Sequence, residues 1–302
     1  MAAAAVPNFF IIGAPKCGTT SIHAYLTEHP DVCVSRIKEP LYFCGQPIST
    51  VGDLGSYLSL FAHCSSAKAV GEASALYLYY DVVPRILRIS PSAKFIVAVR
   101  NPIDMAISYH NQTLYSYEQA EPDFERAWRA SGSDVRMGPN CRDPRLLDYR
   151  AICRLGSQLA RLLALVDARH VHVVVFDDLC RAPDTVYRDL LRFLELADDG
   201  RRDFPQFNAR MRHRFPGLGE ALLAPPGFLR RVKAGCQARY PVLTKNVGRF
   251  LLRLNRAPGN KSDISPRLRA EMAEELRPDI DLLARLLNRK LDHWLETGES
   301  RA

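Results

Sequence analysis

The stretch that decides the fold of this chain runs from Phe9 to Ser21 and reads FFIIGAPKCGTTS. Four apolar residues end at Gly13, a tight loop follows, and a helical pattern begins after Gly18. A strand, a glycine loop and a helix N-terminus in this order bring backbone N–H groups together at the positive end of the helix dipole. The stretch therefore predicts a binding site for an anion such as a phosphate group.

The position of the lysine separates this loop from the loops that bind nucleoside triphosphates. The spacing of Gly13 and Gly18 matches the P-loop, in which a lysine directly follows the second glycine and reaches the β- and γ-phosphates. Here Thr19 follows Gly18, and the lysine is Lys16. The loop is thus predicted to hold phosphate without the lysine placement of a triphosphate-hydrolysing enzyme.

The composition is that of a globular protein. The chain has 302 residues, of which 47% are hydrophobic and 25% are charged, and we expect a single domain over residues 1–302. No apolar run approaches the roughly 20 residues of a membrane-spanning helix. The eight cysteines form no C-x-x-C pair, so we expect reduced thiols and a cytoplasmic location.

The positive charge is concentrated in residues 210–256, which hold nine arginines and two lysines against one acid, Glu220. A segment so poor in acids favours an anionic partner, with a solvated surface as the alternative. Its mixture of apolar and basic residues also fits peripheral contact with a membrane surface. Nucleic acid is not an expected partner, because few aromatic residues lie among these charges.

Strand and helix patterns alternate along the chain, which predicts an α/β fold with a parallel β-sheet flanked by helices. The predicted strands are short and mostly rich in β-branched or aromatic residues: Phe9–Ile12, Ala69–Glu72, Phe95–Val99 and Val171–Phe176. The predicted helices carry apolar residues at helical spacing or begin with proline: Thr19–Glu28, Val82–Ile89, Pro102–Asn111, Arg150–Val166, Pro183–Leu194 and Pro266–Leu287. Residues 112–145 and 203–263 are irregular, and insertions of this kind usually carry substrate contacts.

A second group of polar residues follows the strand that ends at Val99. Arg100 stands at the carboxyl end of this strand, where parallel sheets bind their ligands. Ser108 lies about two turns into the following helix. An arginine fork with a nearby hydroxyl suits a phosphate monoester, although an ordinary ion pair and a surface serine remain the alternative.

With the loop Pro15–Ser21 followed by Arg100 and Ser108, the chain resembles the PAPS-dependent sulfotransferases, and among them the bacterial and heparan-sulfate-type branch. The resemblance implies a P-loop-like sulfotransferase architecture. It also implies 3′-phosphoadenosine 5′-phosphosulfate (PAPS) as the sulfuryl donor, PAP as the product, and no metal. An acceptor hydroxyl on a carbohydrate or another metabolite is implied as the recipient.

The resemblance also assigns roles to the residues of the two motifs. Lys16 would contact the oxygen that bridges phosphate and sulfate, and would stabilise the charge that develops there. The 5′-phosphate would be held by the residues that follow: Cys17 through its backbone alone, Gly18, Thr19, Thr20 and Ser21. Arg100 and Ser108 would hold the 3′-phosphate.

The acceptor hydroxyl needs a general base, and two candidates stand in the sequence. Glu39 lies in Lys38-Glu39-Pro40-Leu41-Tyr42-Phe43, which resembles the segment around the catalytic glutamate of the heparan-sulfate-type enzymes. A loop carboxylate paired with a neighbouring cation is the alternative interpretation of Glu39. His110 is the second candidate, and a packing role is its alternative.

Further contacts are implied on both sides of the transferred group. The segment Gly71–Tyr77 resembles a family motif at which the glycosaminoglycan enzymes carry a lysine, but Ala73 stands at that position here. This departure weakens the case for a heparan-type acceptor and leaves Lys38 as a candidate helper cation. Ser74 and Tyr77 are expected on the acceptor side, and Arg256 and Lys261 are expected to complete the 3′-phosphate site.

Two other classes of function stay open at this point. A P-loop kinase or NTPase shares the glycine spacing, and Asp177 and Asp178 are the nearest candidates for its magnesium ligands. A non-catalytic module that binds anions or nucleic acid would account for residues 210–256. That module leaves Lys16 and Arg100 without a role.

Overall fold

The structure is a computed structural model that describes residues 5–205, 211–213, 256–258 and 264–296. The chain divides into two compact units. The first unit takes residues 1–106, 151–208 and 265–302, and the second takes residues 107–150 and 209–264. A single domain over residues 1–302 stays a prediction.

A five-stranded parallel sheet lies in the first unit, with the strand order β2-β3-β1-β4-β5. Its strands are β1 (Phe9–Gly13), β2 (Val32–Val34), β3 (Ala69–Ala73), β4 (Lys94–Val99) and β5 (Val171–Val175). In the register of the sheet, Phe9 of β1 lies opposite Gly71 of β3 and opposite Lys94 of β4. The predicted parallel α/β fold is confirmed.

Strand β1 is the centre of the core. All five of its residues are buried, and Phe10 stacks on Phe95 of β4 with 6.1 Å between ring centroids. A strand covered on both faces is a continuous apolar run, and this is why the four apolar residues before Gly13 predicted it. The sequence prediction missed β2, because its three residues are too few for a periodic pattern.

Within residues 5–205 and 264–296, the structure describes ten α-helices. In chain order they are α1 (Thr19–Thr27), α2 (Leu54–Ser59), α3 (Val83–Ile89), α4 (Pro102–Tyr115), α5 (Phe124–Arg129), α6 (Tyr149–Ile152), α7 (Leu155–Leu165), α8 (Phe176–Arg181), α9 (Pro183–Phe193) and α10 (Pro266–Leu286). Ser265 is the N-cap of α10, and Pro266 is the first residue of the helix. The Oγ of Ser265 accepts a hydrogen bond from the N–H of Leu268 at 3.1 Å.

The predicted helix Arg150–Val166 is two helices, α6 and α7. The break has a tertiary cause, since the carboxylate of Asp279 in α10 caps the first turn of α7. It accepts the N–H groups of Gly156 at 2.7 Å and Ser157 at 2.8 Å. Likewise Phe176, predicted as the last residue of a strand, is the first residue of α8.

The second unit contains the end of α4, helix α5 and an aromatic cluster. The rings of His110, Phe124 and Tyr149 pack edge to face at centroid distances of 5.4 to 6.4 Å. The strands β6 (Met211–His213) and β7 (Arg256–Pro258) pair antiparallel. Residues 112–145, expected to be irregular, include the last turn of α4, the short helix α5 and the start of a 3-10 helix at Pro144.

Two cysteines depart from the expectation of reduced thiols. Cys33 and Cys64 form a disulfide, so that expectation is wrong for this pair. The other described cysteines, Cys17, Cys44, Cys141, Cys153 and Cys180, form no disulfide, and Cys236 lies outside the described residues. Within those residues, no helix combines the length and the hydropathy that crossing a membrane requires.

Candidate active site

Two glycines shape the loop between β1 and α1, and neither tolerates a side chain. A Cβ on Gly13 would lie 2.9 Å from Cβ of Leu78 and 3.1 Å from the carbonyl of Ala75. Gly18 has a φ of +92°, and a Cβ there would lie 2.6 Å from Cδ2 of Leu179. The loop therefore makes its turn in the left-handed region while its backbone packs closely against α8.

The loop ends at the first turn of α1, where backbone N–H groups lie close together. Helix α1 begins at Thr19 directly after Gly18, and the N–H groups of a first helical turn have no acceptor within the helix. The first turn contains no acidic residue. Thr19 and Ser21 are buried, whereas Lys16 and Thr20 are half-buried. This arrangement can hold an anion at the N-terminus of α1.

Cys17 faces the core and not the anion site. Its side chain is fully buried, with Sγ 3.4 Å from the carbonyl of Pro15 and 3.7 Å from Sδ of Met105. Burial raises the pKa of the thiol to about 12. A thiol of this kind is no nucleophile at neutral pH, which agrees with a role for the backbone of Cys17 alone.

Arg100 comes to the same loop from the end of β4. Its Nη1 donates a hydrogen bond to the carbonyl of Lys16 at 3.2 Å. Its guanidinium lies over the ring of Phe176, 4.5 Å from the centroid. The structure thus brings together Lys16 and Arg100, which the sequence placed on two separate motifs, and it adds Phe176 as an aromatic support.

Glu39 lies in the loop after β2 and is fastened to the end of β3. Its N–H donates to the carbonyl of Ala73 at 3.0 Å, and its Oε2 accepts the N–H of Ala75 at 2.9 Å. Its Oε1 accepts a hydrogen bond from Nζ of Lys38 at 2.7 Å. The carboxylate therefore has a defined direction and stays partly open, because its side chain is 34% exposed.

Three non-glycine residues of these two loops have positive φ angles: Lys16 at 63°, Glu39 at 59° and Leu41 at 53°. This backbone conformation costs an ordinary residue of the order of 1–3 kcal/mol and persists where the surroundings hold it. Such residues concentrate at functional sites. Both loops thus carry the kind of strained backbone that is common at functional sites.

Ser74 and Tyr77, expected to contact the acceptor, are fully buried. The hydroxyl of Ser74 donates to Oε1 of Glu72 at 2.6 Å, and the ring of Tyr77 packs against Phe43. The expected acceptor contact does not fit this burial, because both hydroxyls are used inside the protein. The sequence reasoning missed Glu72 as a member of this group.

His23 is a second residue that the sequence reasoning missed. It lies on α1, and among the described residues its buried Nε2 has no hydrogen-bond partner. Burial, with a smaller effect of the Lys38 ammonium, lowers the pKa of His23 to about 4. A neutral imidazole therefore lies near Lys38. The signal for it was its spacing of three and four residues from Thr20 and Thr19, which places all three on neighbouring turns of one helix face.

Ser108 and His110 lie on the part of α4 that belongs to the second unit, and both are buried. Nε2 of His110 is 2.9 Å from the carbonyl of Glu121, and burial lowers the pKa of the ring. With its ring inside the aromatic cluster, His110 has the surroundings of a core histidine. This favours the packing interpretation over a role as the base.

The remaining sequence candidates fall at or beyond the edge of the described residues. Arg256 is the first residue of β7, and Lys261 lies outside the described residues. Most of residues 210–256 also lie outside them, so the expected membrane contact stays a prediction. The two contacts that would complete the 3′-phosphate site are predictions for the same reason.

The two aspartates considered as magnesium ligands are engaged elsewhere. Asp178 accepts a hydrogen bond from Nη2 of Arg289 at 2.9 Å, and Asp177 accepts one from Nε1 of Trp294 at 2.9 Å. In the described part of the chain, one group has metal-ligand spacing, made of Cys33, His63 and Cys64. Two of its three members are joined in the disulfide.

Comparison with known proteins identifies the family of the chain. The sulfotransferase domain family matches residues 6–204. A sulfotransferase structure from Alicyclobacillus acidocaldarius superposes with a TM-score of 0.69 at 26% identity and covers 97% of this chain and 100% of its own.

Curated relatives match shorter parts of the chain. Carbohydrate sulfotransferase 15 of Homo sapiens is 29% identical over 189 aligned positions, and the match covers 48% of this chain and 32% of that protein. Bifunctional heparan sulfate N-deacetylase/N-sulfotransferase 2 of Homo sapiens is 34% identical over 125 residues, 39% of this chain and 14% of that protein. The chain thus spans about a third or less of the length of these relatives. The resemblance inferred from Lys16 and Arg100 is confirmed, and the chain belongs to the sulfotransferase domain family.

Proposed function

We propose that this protein transfers the sulfuryl group of PAPS to a hydroxyl group. The observation that carries the proposal is that Arg100, at the end of β4, contacts the loop that holds Lys16 and leads into α1. Its guanidinium donates a hydrogen bond to the carbonyl of Lys16 at 3.2 Å. Lys16 and Arg100 thus bring two positive charges near Cys17 of this loop, and the residue after Gly18 is not a lysine. This arrangement suits a donor with a 5′-phosphosulfate and a separate 3′-phosphate.

The 5′-phosphate would lie at the N-terminus of α1, against the N–H groups and hydroxyls of Thr19, Thr20 and Ser21. Arg100 would hold the 3′-phosphate, and the bond to the Lys16 carbonyl uses only one of its five N–H donors. Phe176 under the guanidinium limits the directions in which that fork can point. Ser108 is proposed as the second 3′-phosphate contact.

Transfer needs a base, a nucleophile and a stabilised leaving group. The Glu39 carboxylate would take the proton of the acceptor hydroxyl as the acceptor oxygen forms a bond to sulfur. The bond between sulfur and the bridging oxygen breaks, and PAP leaves with that electron pair. A preorganised cation, Lys16, stabilises the negative charge that develops on the bridging oxygen. No step is routed through a metal ion.

A carbohydrate hydroxyl is the proposed acceptor class. The support for a carbohydrate is that one relative is named a carbohydrate sulfotransferase and another a heparan sulfate N-deacetylase/N-sulfotransferase. The hydroxyl is proposed because Glu39 can serve as its base. The cytoplasmic location expected from the cysteines loses its support, because the Cys33–Cys64 disulfide is typical of oxidising compartments. A membrane partner for residues 210–256 stays a secondary prediction.

Binding and turnover of the full chain test the function. Calorimetry with PAP should show binding at micromolar concentration, and radiolabelled PAPS with a panel of desulfated glycans should give labelled product. Lys16→Met should lower kcat by about 100-fold or more, because one preorganised charge stabiliser is worth that much in related chemistry.

Lys68→Met is the matched control for the loss of one positive charge. Lys68 is exposed and pairs with Asp31 at 2.9 Å, so its removal should leave turnover unchanged. Absence of PAP binding by the wild-type protein would contradict the proposed function. Magnesium-dependent ATP turnover that Thr19→Ala abolishes would favour a nucleotide hydrolase instead.

A further inference from the structure

Glu72 is a fully buried carboxyl group whose partners are hydroxyl groups. It is the fourth residue of β3 and is 1% exposed. Its Oε2 accepts a hydrogen bond from the hydroxyl of Tyr57 in α2 at 2.5 Å, and its Oε1 accepts one from Ser74 at 2.6 Å. Tyr77 provides a third hydroxyl. Burying a carboxyl group costs free energy unless hydrogen bonds compensate for the lost water, and these hydroxyl groups provide such bonds.

Two of these three hydroxyls lead to the backbone that follows Glu39. Oγ of Ser74 accepts the N–H of Leu41 at 3.3 Å, and the hydroxyl oxygen of Tyr77 accepts the N–H of Phe43 at 3.4 Å. Leu41 has a positive φ, so this segment needs support from its surroundings. The hydroxyl of Tyr57 donates to Glu72, whereas its ring stacks on Tyr42 and packs against Phe43 and Phe61.

Glu39 itself is bonded to the chain that surrounds Glu72. Its N–H reaches the carbonyl of Ala73, and its Oε2 accepts the N–H of Ala75. Ala73 and Ser74 directly follow Glu72 in the sequence. The direction of the Glu39 carboxylate therefore depends on a turn that the Glu72 network holds.

We propose that Glu72 is a positioning residue for sulfuryl transfer, which acts through the hydroxyls of Ser74 and Tyr77 to fix the loop that carries Glu39. This proposal rests on the function proposed above. As a carboxylate, Glu72 accepts the hydroxyl protons of Ser74, Tyr57 and Tyr77, so lone pairs on Oγ of Ser74 and on the hydroxyl oxygen of Tyr77 face the N–H groups of Leu41 and Phe43. Once protonated, Glu72 donates one hydrogen bond, so one of the three hydroxyl groups must turn its own proton to another acceptor and the network that holds the loop rearranges.

The protonation state of Glu72 changes in the neutral range. Burial raises its pKa to about 7, while the hydrogen bonds from Ser74, Tyr57 and Tyr77 oppose that rise and the charge of Glu39 adds to it. Lys38 pairs with Glu39 on the open side. Positioning of Glu39 should therefore improve as the pH rises through about 7.

The test measures kcat of the full chain from pH 5.5 to 9, with radiolabelled PAPS and a desulfated glycan that the wild-type protein sulfates. The wild-type rate should rise with a step near pH 7. Glu72→Gln resembles the protonated form, so kcat at pH 8 should fall about tenfold, the size expected for a small misplacement of a catalytic group. The step should disappear while PAP affinity stays unchanged.

A matched pair of hydroxyl deletions separates positioning from packing. Tyr77→Phe removes the bridge to Phe43 and should lower kcat at every pH, as should Ser74→Ala. Tyr57→Phe removes a hydroxyl from the same carboxylate but no bridge, so kcat at pH 9 should match the wild type. Its step should move to higher pH, because the Tyr57 hydrogen bond lowers the pKa of Glu72.

The outcomes distinguish this proposal from the proposed function. A wild-type protein that binds no PAP would contradict the function itself. Wild-type turnover with an unchanged rate and an unchanged pH step in Glu72→Gln would overturn only the role of Glu72. Equal losses in Tyr57→Phe and Tyr77→Phe would also overturn it, since they would show general damage to the core. If Glu72→Gln fails to fold by circular dichroism, the tyrosine pair decides.

Discussion

Arg100 has two connections in this structure, and they imply different roles. One N–H group donates to the carbonyl of Lys16, which steadies the phosphate loop. The guanidinium also lies over the ring of Phe176 at 4.5 Å, and its remaining N–H groups are proposed to bind the 3′-phosphate. An arginine that only steadies the loop would affect every ligand of the loop equally. One that binds the 3′-phosphate would distinguish ligands that carry this group from ligands that lack it.

The two roles of Arg100 can therefore be separated by measuring how its substitution changes the affinity for two ligands. Arg100→Ala should weaken PAP binding by about 30-fold or more, because hydrogen bonds to a charged group are worth about 1.5–3 kcal/mol. Adenosine 5′-phosphosulfate, which lacks the 3′-phosphate, should lose less than threefold. Arg100→Lys should restore only part of the PAP affinity, since lysine lacks the planar fork. Calorimetry with both ligands provides the measurement, and equal losses would assign Arg100 to the loop alone.

At the scale of elements, the site depends on how the loop between β1 and α1 packs against α8. Gly18 turns the chain at a φ of +92°, with Leu179 and Phe176 of α8 directly beside it. Phe176 also supports Arg100. Asp178 of the same helix binds Arg289, so α8 connects the phosphate loop to the residues after α10. The placement of α8 thus affects both halves of the proposed donor site.

Gly18→Ala should disturb this packing. A methyl group would lie 2.6 Å from Cδ2 of Leu179, and alanine is strained at a φ of +92°. Strain and overpacking together should cost about 2–4 kcal/mol of the free energy of unfolding, and PAP affinity should fall by more than tenfold. Gly52→Ala is the control, because no atom lies within 4 Å of the added methyl group. Thermal melts and PAP calorimetry measure both effects, and a Gly18→Ala protein as stable as Gly52→Ala would contradict the packing.

At the scale of the whole molecule, buried titratable groups make the stability depend on pH. Glu72 is the clearest case, because it is completely buried at the end of a central strand. Burial raises its pKa from 4.5 to about 7. A folded-state pKa above the unfolded value stabilises the protein fully below pH 4.5, and this stabilisation is lost as the pH rises through about 7.

The free energy of unfolding of the wild-type protein should therefore fall by about 3 kcal/mol relative to Glu72→Gln between pH 4.5 and pH 8, because each unit of pKa shift corresponds to about 1.4 kcal/mol. Urea titrations of both proteins at the two pH values measure this difference. The comparison of two variants removes the contributions of all other groups that titrate in the same range. An identical difference at both pH values would show that Glu72 does not titrate there.

Features that depend on neighbouring residues could be predicted from the sequence, whereas features that depend on residues far apart in the chain could not. The loop Phe9–Ser21, the strand before it and the helix after it were predictable, since strand, turn and helix signals are local. Arg100 could be chosen because it directly follows a strand, and Lys16 because it lies in the loop between a strand and a helix. The break between α6 and α7 could not be predicted, since Asp279, which caps α7, stands more than a hundred residues away.

The glycine loop, the parallel α/β fold and the family can be inferred from the sequence alone, because these features rest on the order of neighbouring residues. The burial of Ser74 and Tyr77, the hydrogen bond of Ser74 to Glu72 and the disulfide between Cys33 and Cys64 arise only in the folded chain. They follow from the order of the strands in the sheet. Pairing of β2 with β3 brings the loop after one strand beside the end of the other. That pairing places Glu39 on the turn that Glu72 holds.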